Sequence, residues 1–498
     1  MNTKLLRQKI LDLAIRGKLT EQKKSDGTTK DLLKQIASNV ILSNAKNPGK
    51  SKNTPKEIIP LDKTTAPFEI PDNWEWVRLG DVSYIASGST PSKDCFVDDG
   101  VPYLKMYNLR NQQIDFQYKP QFIKREIHEG KLARSRAKPY DVIMNIVGPP
   151  LGKIALIPET LPECNFNQAA VLIRAHYETK LMNQYIRFYL MQMDEINSIN
   201  TKGTAGQENL SLSQTQNMRL PLPPLAEQQR IVTAIENAFA EITEIENNQE
   251  LLKKHIKQAR QKILDLAIRG KLTEQKKSDG TTKDLLESIM AASSECHPER
   301  SAAKSKDPAK KKSKTADPKQ IIPLDKSEAP FEIPENWEWV KLGDVLNEMQ
   351  STSPRGETFK YIDIDSIDNV ACRVKSPKII ETKNAPSRAS RFTKKGDVLF
   401  SMVRPYLKNI AKVIEDDCIA STGFYVCSPK GIVSDYCYYL MISNYVVDGL
   451  NQFMKGDNSP SISSKNITDW FIPLPPLAEQ QRIVATIEQA FAEFDAME

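Results

Sequence analysis

The sequence predicts a multidomain α+β or α/β chain, with two globular domains joined by long antiparallel coiled-coil helices in an approximately two-fold, circular arrangement. Three observations predict it. The 27 letters RQKILDLAIRGKLTEQKKSDGTTKDLL stand at residues 7–33 and return unchanged at 260–286. Shorter segments return in the same order: IIPLDK (58–63, 321–326), APFEIP (66–71, 329–334), NWEWV-x-LGDV (73–82, 336–345) and PLPPLAEQQRIV (221–232, 473–484). Between these repeats lie two blocks, 83–220 and 346–472, that share only a faint pattern. Internal repetition identifies the structural unit before any local reading does.

In chain order, residues 1–33 read as an N-terminal helical segment and 34–66 as a linker. Residues 67–220 form a first variable domain. PYDVIMNIV (139–147) and KIALI are strand-like runs rich in Val and Ile, and 180–199 has the apolar spacing of a helix. Residues 221–286 form the central helical region. Pro223 and Pro224 suit a helix start, because proline lacks only an N–H that is unpaired there anyway. Leu225, Val232, Ile235, Phe239 and Ile242 keep a 3–4 spacing, as do Ile245, Leu252, Ile256, Ala259, Ile263 and Leu266. The join between Ile242 and Ile245 breaks heptad phase as a stammer does. Gly270 is the expected stop. About 45 residues at 1.5 Å each make a rod of roughly 70 Å, which needs a partner along its apolar seam.

Residues 287–329 read as a basic flexible linker, since AAKSKDPAKKKSKTADPK (302–319) holds too little apolar surface for a core. Its lysines either touch phosphates of a nucleic acid or keep the linker solvated, and the solvated linker is the favoured reading. Residues 330–472 form the second variable domain, with KGDVLFSMV (395–403), NIAKVI and the helix-like 434–453 answering the runs of the first. Residues 473–498 repeat the front of the central helix and are expected to lie antiparallel to it. If the C-terminus returns to the N-terminus, the repeated frame closes.

The bulk numbers exclude little. A length of 498 residues allows about three domains. The net charge of +6 permits an anionic partner without demanding one, because 69 basic residues nearly match 63 acidic ones. Seven cysteines, none in CxxC spacing, read as free thiols of a reducing compartment. The N-terminus lacks a continuous apolar core, so no signal peptide is expected, and no run approaches the ~18 apolar residues of a membrane span. A cytoplasmic protein is the expectation.

The inventory of catalytic chemistry is thin. GPPLGKI (148–154) has three residues between its glycines where a phosphate loop needs four, and Ile154 follows the lysine. It also fails the amino-methyltransferase pattern, which needs Asp, Asn or Ser before Pro-Pro. A proline turn between strands is the reading. No GxGxxG occurs. His128, His176, His255 and His297 are scattered, and Cys296-His297 has no second pair at zinc spacing. No metal site and no catalytic residue is expected. Trp74, Trp76, Trp337 and Trp339 stand in the repeated lead-in to each domain and read as packing residues.

A helix opening with PLPPLAEQQRIV, together with two variable domains each introduced by P-x-NWEW-x-x-LGDV and each containing a GDV-type strand, resembles the specificity subunit of a type I restriction–modification system. The resemblance covers nearly the whole chain. KGTAGQENLS (202–211) is similar to that family's loop before the PLPPL helix, whereas KGDNSPSISSKNI (455–467) departs from it. The resemblance implies a non-catalytic DNA reader with two target recognition domains, each reading half of a split, asymmetric site. It also implies partners: two modification subunits that bind S-adenosylmethionine, and two restriction subunits that bind ATP and Mg. No cofactor is then bound by this chain. A spacing near one helical turn, roughly 34–36 Å, would place both domains on one face of the duplex.

Base edges are read by Arg, Lys, Asn or Gln, and phosphates by further cations. Those types concentrate at Lys105, Tyr107, Asn108, Arg110 and Asn111, then at Arg134, Arg136 and Lys138. In the second domain they are Arg388, Arg391, Lys394, Lys395 and Arg404. Asp363 and Asp365 have the chemistry to accept from cytosine amino groups, but turn residues are the favoured reading. The expected docking positions for modification subunits lie on the repeated helices: Leu225, Gln228, Arg230, Ile235 and Phe239, with Leu477, Gln480, Arg482, Ile487 and Phe491. Two other readings stand beside this one. They are a single-chain methyltransferase or endonuclease with unrecognised motifs, and a coiled-coil scaffold unrelated to DNA.

Overall fold

The computed structural model describes residues 2–45, 57–148, 151–199, 209–295 and 321–497. The chain divides into two compact units, Met1–Asn248 and Gln249–Glu498. Each unit contains, in the same order, one copy of the 27-residue segment, one variable domain and one copy of the PLPPL helix.

In the first unit the segment folds as a helix Thr3–Ile15, a turn Lys24–Asp26 and a second helix Thr29–Ala45. Asn2 caps the first helix, its side chain accepting from the Leu5 N–H at 3.0 Å. Gly17 ends it with φ +65°, and a Cβ there would lie 2.4 Å from Pro71 Cγ. Glycine is therefore required twice over, by backbone conformation and by contact. Gly270 repeats both conditions against Pro334 in the second unit. The segment expected to end at residue 33 runs on as helix to Ala45, and its copy runs as Thr282–Glu295. Buried Leu32, Leu33 and Ile36 continue the apolar stripe, as Leu286 and Ile289 do in the copy.

The two ends of each variable domain are clamped together. Glu75–Arg78 pairs antiparallel with Arg219–Leu222, and Glu338–Lys341 pairs with Phe471–Leu474. All four tryptophans of the lead-in are buried, as the sequence predicts. The first domain has a four-stranded sheet ordered Ser83–Ser87, Ala170–Ala175, Val142–Asn145, Ile154–Leu156, and another of four strands around Val101–Leu104. The second has a five-stranded sheet around Val398–Ser401 and a four-stranded sheet around Thr358–Ile362. The expected GDV strands are central in both. The helix-like stretches are helical, as expected, each with one break. Residues 180–199 split into Thr179–Met191 and Asp194–Ser198 at Met193, whose φ is +75°. Residues 434–453 split into Ser434–Met441 and Asn444–Asn451, where Ser443 caps a fresh start.

The PLPPL helix spans Leu225–Ile268, 44 residues, starting after Pro224 and stopping two residues before Gly270. Its front belongs to the first unit and its rear to the second. Ile245, at the break in heptad phase, is exposed, as are Leu251 and Leu252 beyond it.

The first unit's core joins segment, domain and helix. Leu11, Ala14, Ile15, Leu32, Leu33 and Ile36 from the segment share it with Trp74, Tyr185, Ile231 and Ile235. A buried Leu or Ile contributes about 2–5 kcal/mol, against a total stability of about 5–15 kcal/mol. A fragment of residues 1–248 is expected to unfold cooperatively in urea. A fragment of 46–248, lacking the segment, is expected to show no cooperative transition, and fluorescence of Trp74 and Trp76 reports both.

Candidate nucleic-acid interface

The repeated frame makes the same bonds in each unit. Arg230 grips Asp26 at 2.8 and 2.5 Å, and Arg482 reaches Asp279 at 2.6 Å. The Trp74 indole N–H donates to Glu227 at 2.8 Å, and Trp337 donates to Glu479 at 2.8 Å. Gln22 and Gln275 donate to the same two carboxylates. The Tyr185 hydroxyl donates to the Pro221 carbonyl at 2.6 Å, and Tyr436 to Pro473 at 2.8 Å. Arg7 lies over Phe239 at 4.9 Å, and Arg260 over Phe491 at 4.7 Å. Within each unit the early residues of the segment meet the late residues of the PLPPL helix, and the later residues meet its start. The two helices therefore run antiparallel. Arg230 and Arg482 hold their aspartate carboxyls below the usual range, chiefly by hydrogen bonding.

This arrangement places most of the expected docking set inside its own unit. Gln228, Ile235, Gln480 and Ile487 are buried at 0% exposure. Arg230, Phe239, Arg482 and Phe491 spend their contacts on the segment or on the domain's own helices, as Phe239 does on Phe188 and Phe491 on Tyr439. Leu225 is partly buried against the core, and Leu477 alone of the ten is an exposed large hydrophobic. The apolar stripe identified a buried face, and each unit covers that face itself.

The DNA-contact candidates fall into three situations. Asn108 is buried at 1% exposure, and its amide donates to the carbonyls of Asp115 at 3.0 Å and Tyr118 at 2.9 Å. It holds the loop in shape. Around it, Lys105 precedes a single 3-10 turn, Met106–Asn108, and Tyr107 stands edge-on to Tyr118 at 6.0 Å. Burial, then the neighbouring Tyr118, raises the Tyr107 hydroxyl above its ordinary pKa. Arg110 lies over the Tyr118 ring at 4.3 Å and 3.9 Å from Asp115, with half its side chain exposed. Asn111 is exposed at the tip of the hairpin formed by Leu109–Arg110 and Gln113–Ile114, with φ +48°.

The basic stretches flank the GDV strands. Arg134 is exposed, Arg136 is half-buried, and Lys138 is exposed and 3.1 Å from Glu163. The Lys138 N–H donates to Asp141, and the Lys394 N–H donates to Asp397 at 2.9 Å, so the two stretches enter their strands identically. Arg388, Lys394 and Lys395 are exposed, and Arg391 is half-buried. Arg404 is exposed with φ +48° and donates to the Asn458 carbonyl at 2.7 Å. Asp363 closes a turn with Ser366, as expected. Burial raises its carboxyl, but hydrogen bonds from Lys378 and Ser366 outweigh that and leave it below the ordinary range.

Val370, Ala371 and Arg373, which sequence reading did not single out, are exposed on a hairpin in the second domain. Their only signal was position after YIDIDSIDN. Pro149 and Pro150 of the proline turn, most of the 202–211 loop, and the 302–319 linker with Cys296-His297 lie outside the described residues. Among the described residues, six cysteines are free thiols, and no group of three or more His, Cys, Asp or Glu could hold a metal ion. No described helix is long and apolar enough to cross a membrane.

The sequence profile of the type I restriction modification DNA specificity domain matches residues 71–253 and 334–498. The chain belongs to this family. Its two matches coincide with the two variable domains and the helix after each. The type I restriction enzyme EcoEI specificity subunit of Escherichia coli is 24% identical over 584 aligned residues, which cover 99% of this chain and 90% of that one. The EcoAI specificity subunit of Escherichia coli is 23% identical, covering 98% and 88%. A solved chain from work on complex assembly and conformational transition of the type I R-M system has the same fold, with TM-score 0.55, 21% identity, and coverage of 86% of this chain and 93% of that chain. Sequence-specific DNA recognition is thus the function of the family to which this type I specificity subunit belongs.

Proposed function

We propose that the chain is the non-catalytic reader of a type I restriction–modification complex, recognising a bipartite, asymmetric DNA site. The observation that carries this is one frame used twice around two different domains. Equal frames dock equal partners, so the two units take two copies of one modification subunit in an approximately two-fold arrangement, with the paired helices as a coiled-coil frame. Unequal domains read unequal words. Exposed cations at Arg134, Lys138, Arg388, Lys394 and Lys395 supply the salt-dependent hold on phosphates that positions base contacts. Methyl transfer and cleavage then belong to partners that bring S-adenosylmethionine, ATP and Mg, and the complex works in the cytoplasm. Native mass measurement of the co-expressed complex is expected to give two modification subunits per chain. One subunit per chain at saturating partner contradicts the proposal.

A further inference from the structure

Residues 105–115 and 363–375 differ in sequence and share a fold. In each domain a strand with one parallel and one antiparallel neighbour, Val101–Leu104 or Thr358–Ile362, leads into a single 3-10 turn, Met106–Asn108 or Ile364–Ser366. A short hairpin comes next, Leu109–Arg110 with Gln113–Ile114 in the first domain and Ile367–Asp368 with Arg373–Val374 in the second. The closing bonds correspond. The Asn108 N–H donates to the Lys105 carbonyl at 2.8 Å and the Asp115 N–H to the Asn108 carbonyl at 2.8 Å. Ser366 and Lys375 do the same to Asp363 at 3.1 Å and to Ser366 at 2.9 Å.

Both hairpins are fastened to the domain. Gln112 Oε1 accepts from the Ile154 N–H at 2.7 Å. Asn369 donates to the Leu407 carbonyl at 3.0 Å, and Arg373 is registered against Lys412 of the neighbouring strand. A rigid mount is what a recognition element requires.

The tips differ in everything a base edge senses. The first has a two-residue turn, Asn111 and Gln112 with φ of 48° and 59°, flanked by Arg110 and Gln113. The second has a longer tip in which Val370 is 92% exposed, with exposed Ala371 and Arg373 after it. A valine so exposed at a rigid tip gains nothing inside its own unit, because apolar surface is stabilised only when removed from water.

We propose that this hairpin is the base-reading element of each variable domain. A two-stranded ribbon fits the major groove, where Arg, Asn and Gln pair with purine edges and small apolar groups meet the thymine methyl. Arg110, Asn111 and Gln113 present donors for purines in the first half-site. Val370 and Ala371 present an apolar surface for a thymine methyl, and Arg373 presents a fork for a guanine, in the second. The inference rests on the reading of the chain as a specificity subunit.

The test uses the full chain co-expressed with its modification subunits, with methylated sites mapped for the parent and for Arg110→Ala, Val370→Ser, Arg373→Ala and the double variant Lys394→Ala/Lys395→Ala. Arg110→Ala is expected to relax discrimination at one or two base pairs of one half-site by roughly 5–150-fold, leaving the other half unchanged. Val370→Ser and Arg373→Ala are expected to do the same in the opposite half only. The lysine double variant is expected to weaken all sites alike and to lower the salt dependence of binding. Thermal melting unchanged within a few degrees shows that the exposed substitutions leave folding intact. Parental discrimination in all hairpin variants, with a clear parental bipartite motif, overturns the hairpin assignment alone. A parent that yields no bipartite motif overturns the reading on which the assignment rests, and the assignment with it.

Discussion

Exchanging residues 83–220 for the corresponding block of a related chain is expected to replace one half of the recognised DNA site and leave the other half as it was. The block enters and leaves through the paired strands Glu75–Arg78 and Arg219–Leu222, and the Leu79 N–H donates to the Met218 carbonyl at 2.8 Å beside that pair. The frame bonds of Trp74, Glu227, Asp26 and Arg230 all lie beyond it. The graft therefore enters through one clamped neck, must refill the core that Tyr185 and Phe188 share with the frame, and brings its own hairpin. A wrong base pair costs about 1–3 kcal/mol, so three changed positions shift preference by roughly 3–9 kcal/mol, enough to replace one word by another. Methylated-site mapping of the chimera reads the result. A change in both half-sites contradicts independent reading.

Lengthening the central helix is expected to lengthen the gap between the two words. Inserting four residues after Asn247 adds about 6 Å of helix and rotates the downstream part by about 40°. Residues 247–255 are exposed, and the boundary between the units falls at Asn248 and Gln249, so the insertion opens no core. One base pair advances about 3.4 Å along a strand. The variant is expected to methylate the same two words one or two base pairs further apart. An unchanged gap at full activity shows that the helix does not set the distance.

Much of this architecture is legible in the letters, for a physical reason. Identical sequences in identical surroundings fold alike, so the 27-residue repeat announces two equal frames before any element is assigned. The helix start at Pro224 and stop near Gly270 reflect proline's missing N–H and glycine's freedom at positive φ. The strands Val142–Asn145 and Val398–Ser401 are legible because strand burial leaves an apolar, β-branched trace. Other features leave no such trace. Periodicity shows that Ile235 and Ile487 are buried but not by what, and the structure shows that each packs within its own unit. The break at Met193 depends on a left-handed residue that no local propensity marks. The hairpins at 109–114 and 367–374 match by hydrogen-bond pattern while their letters differ, as expected of elements selected for different ligands.

The most direct test of the central claim is to map methylated bases genome-wide in a host expressing this chain with its modification subunits. The account predicts one motif made of two different short words with a gap of fixed length, methylated on both strands. A single contiguous motif, a palindrome of two equal words, or methylation without sequence preference would contradict it.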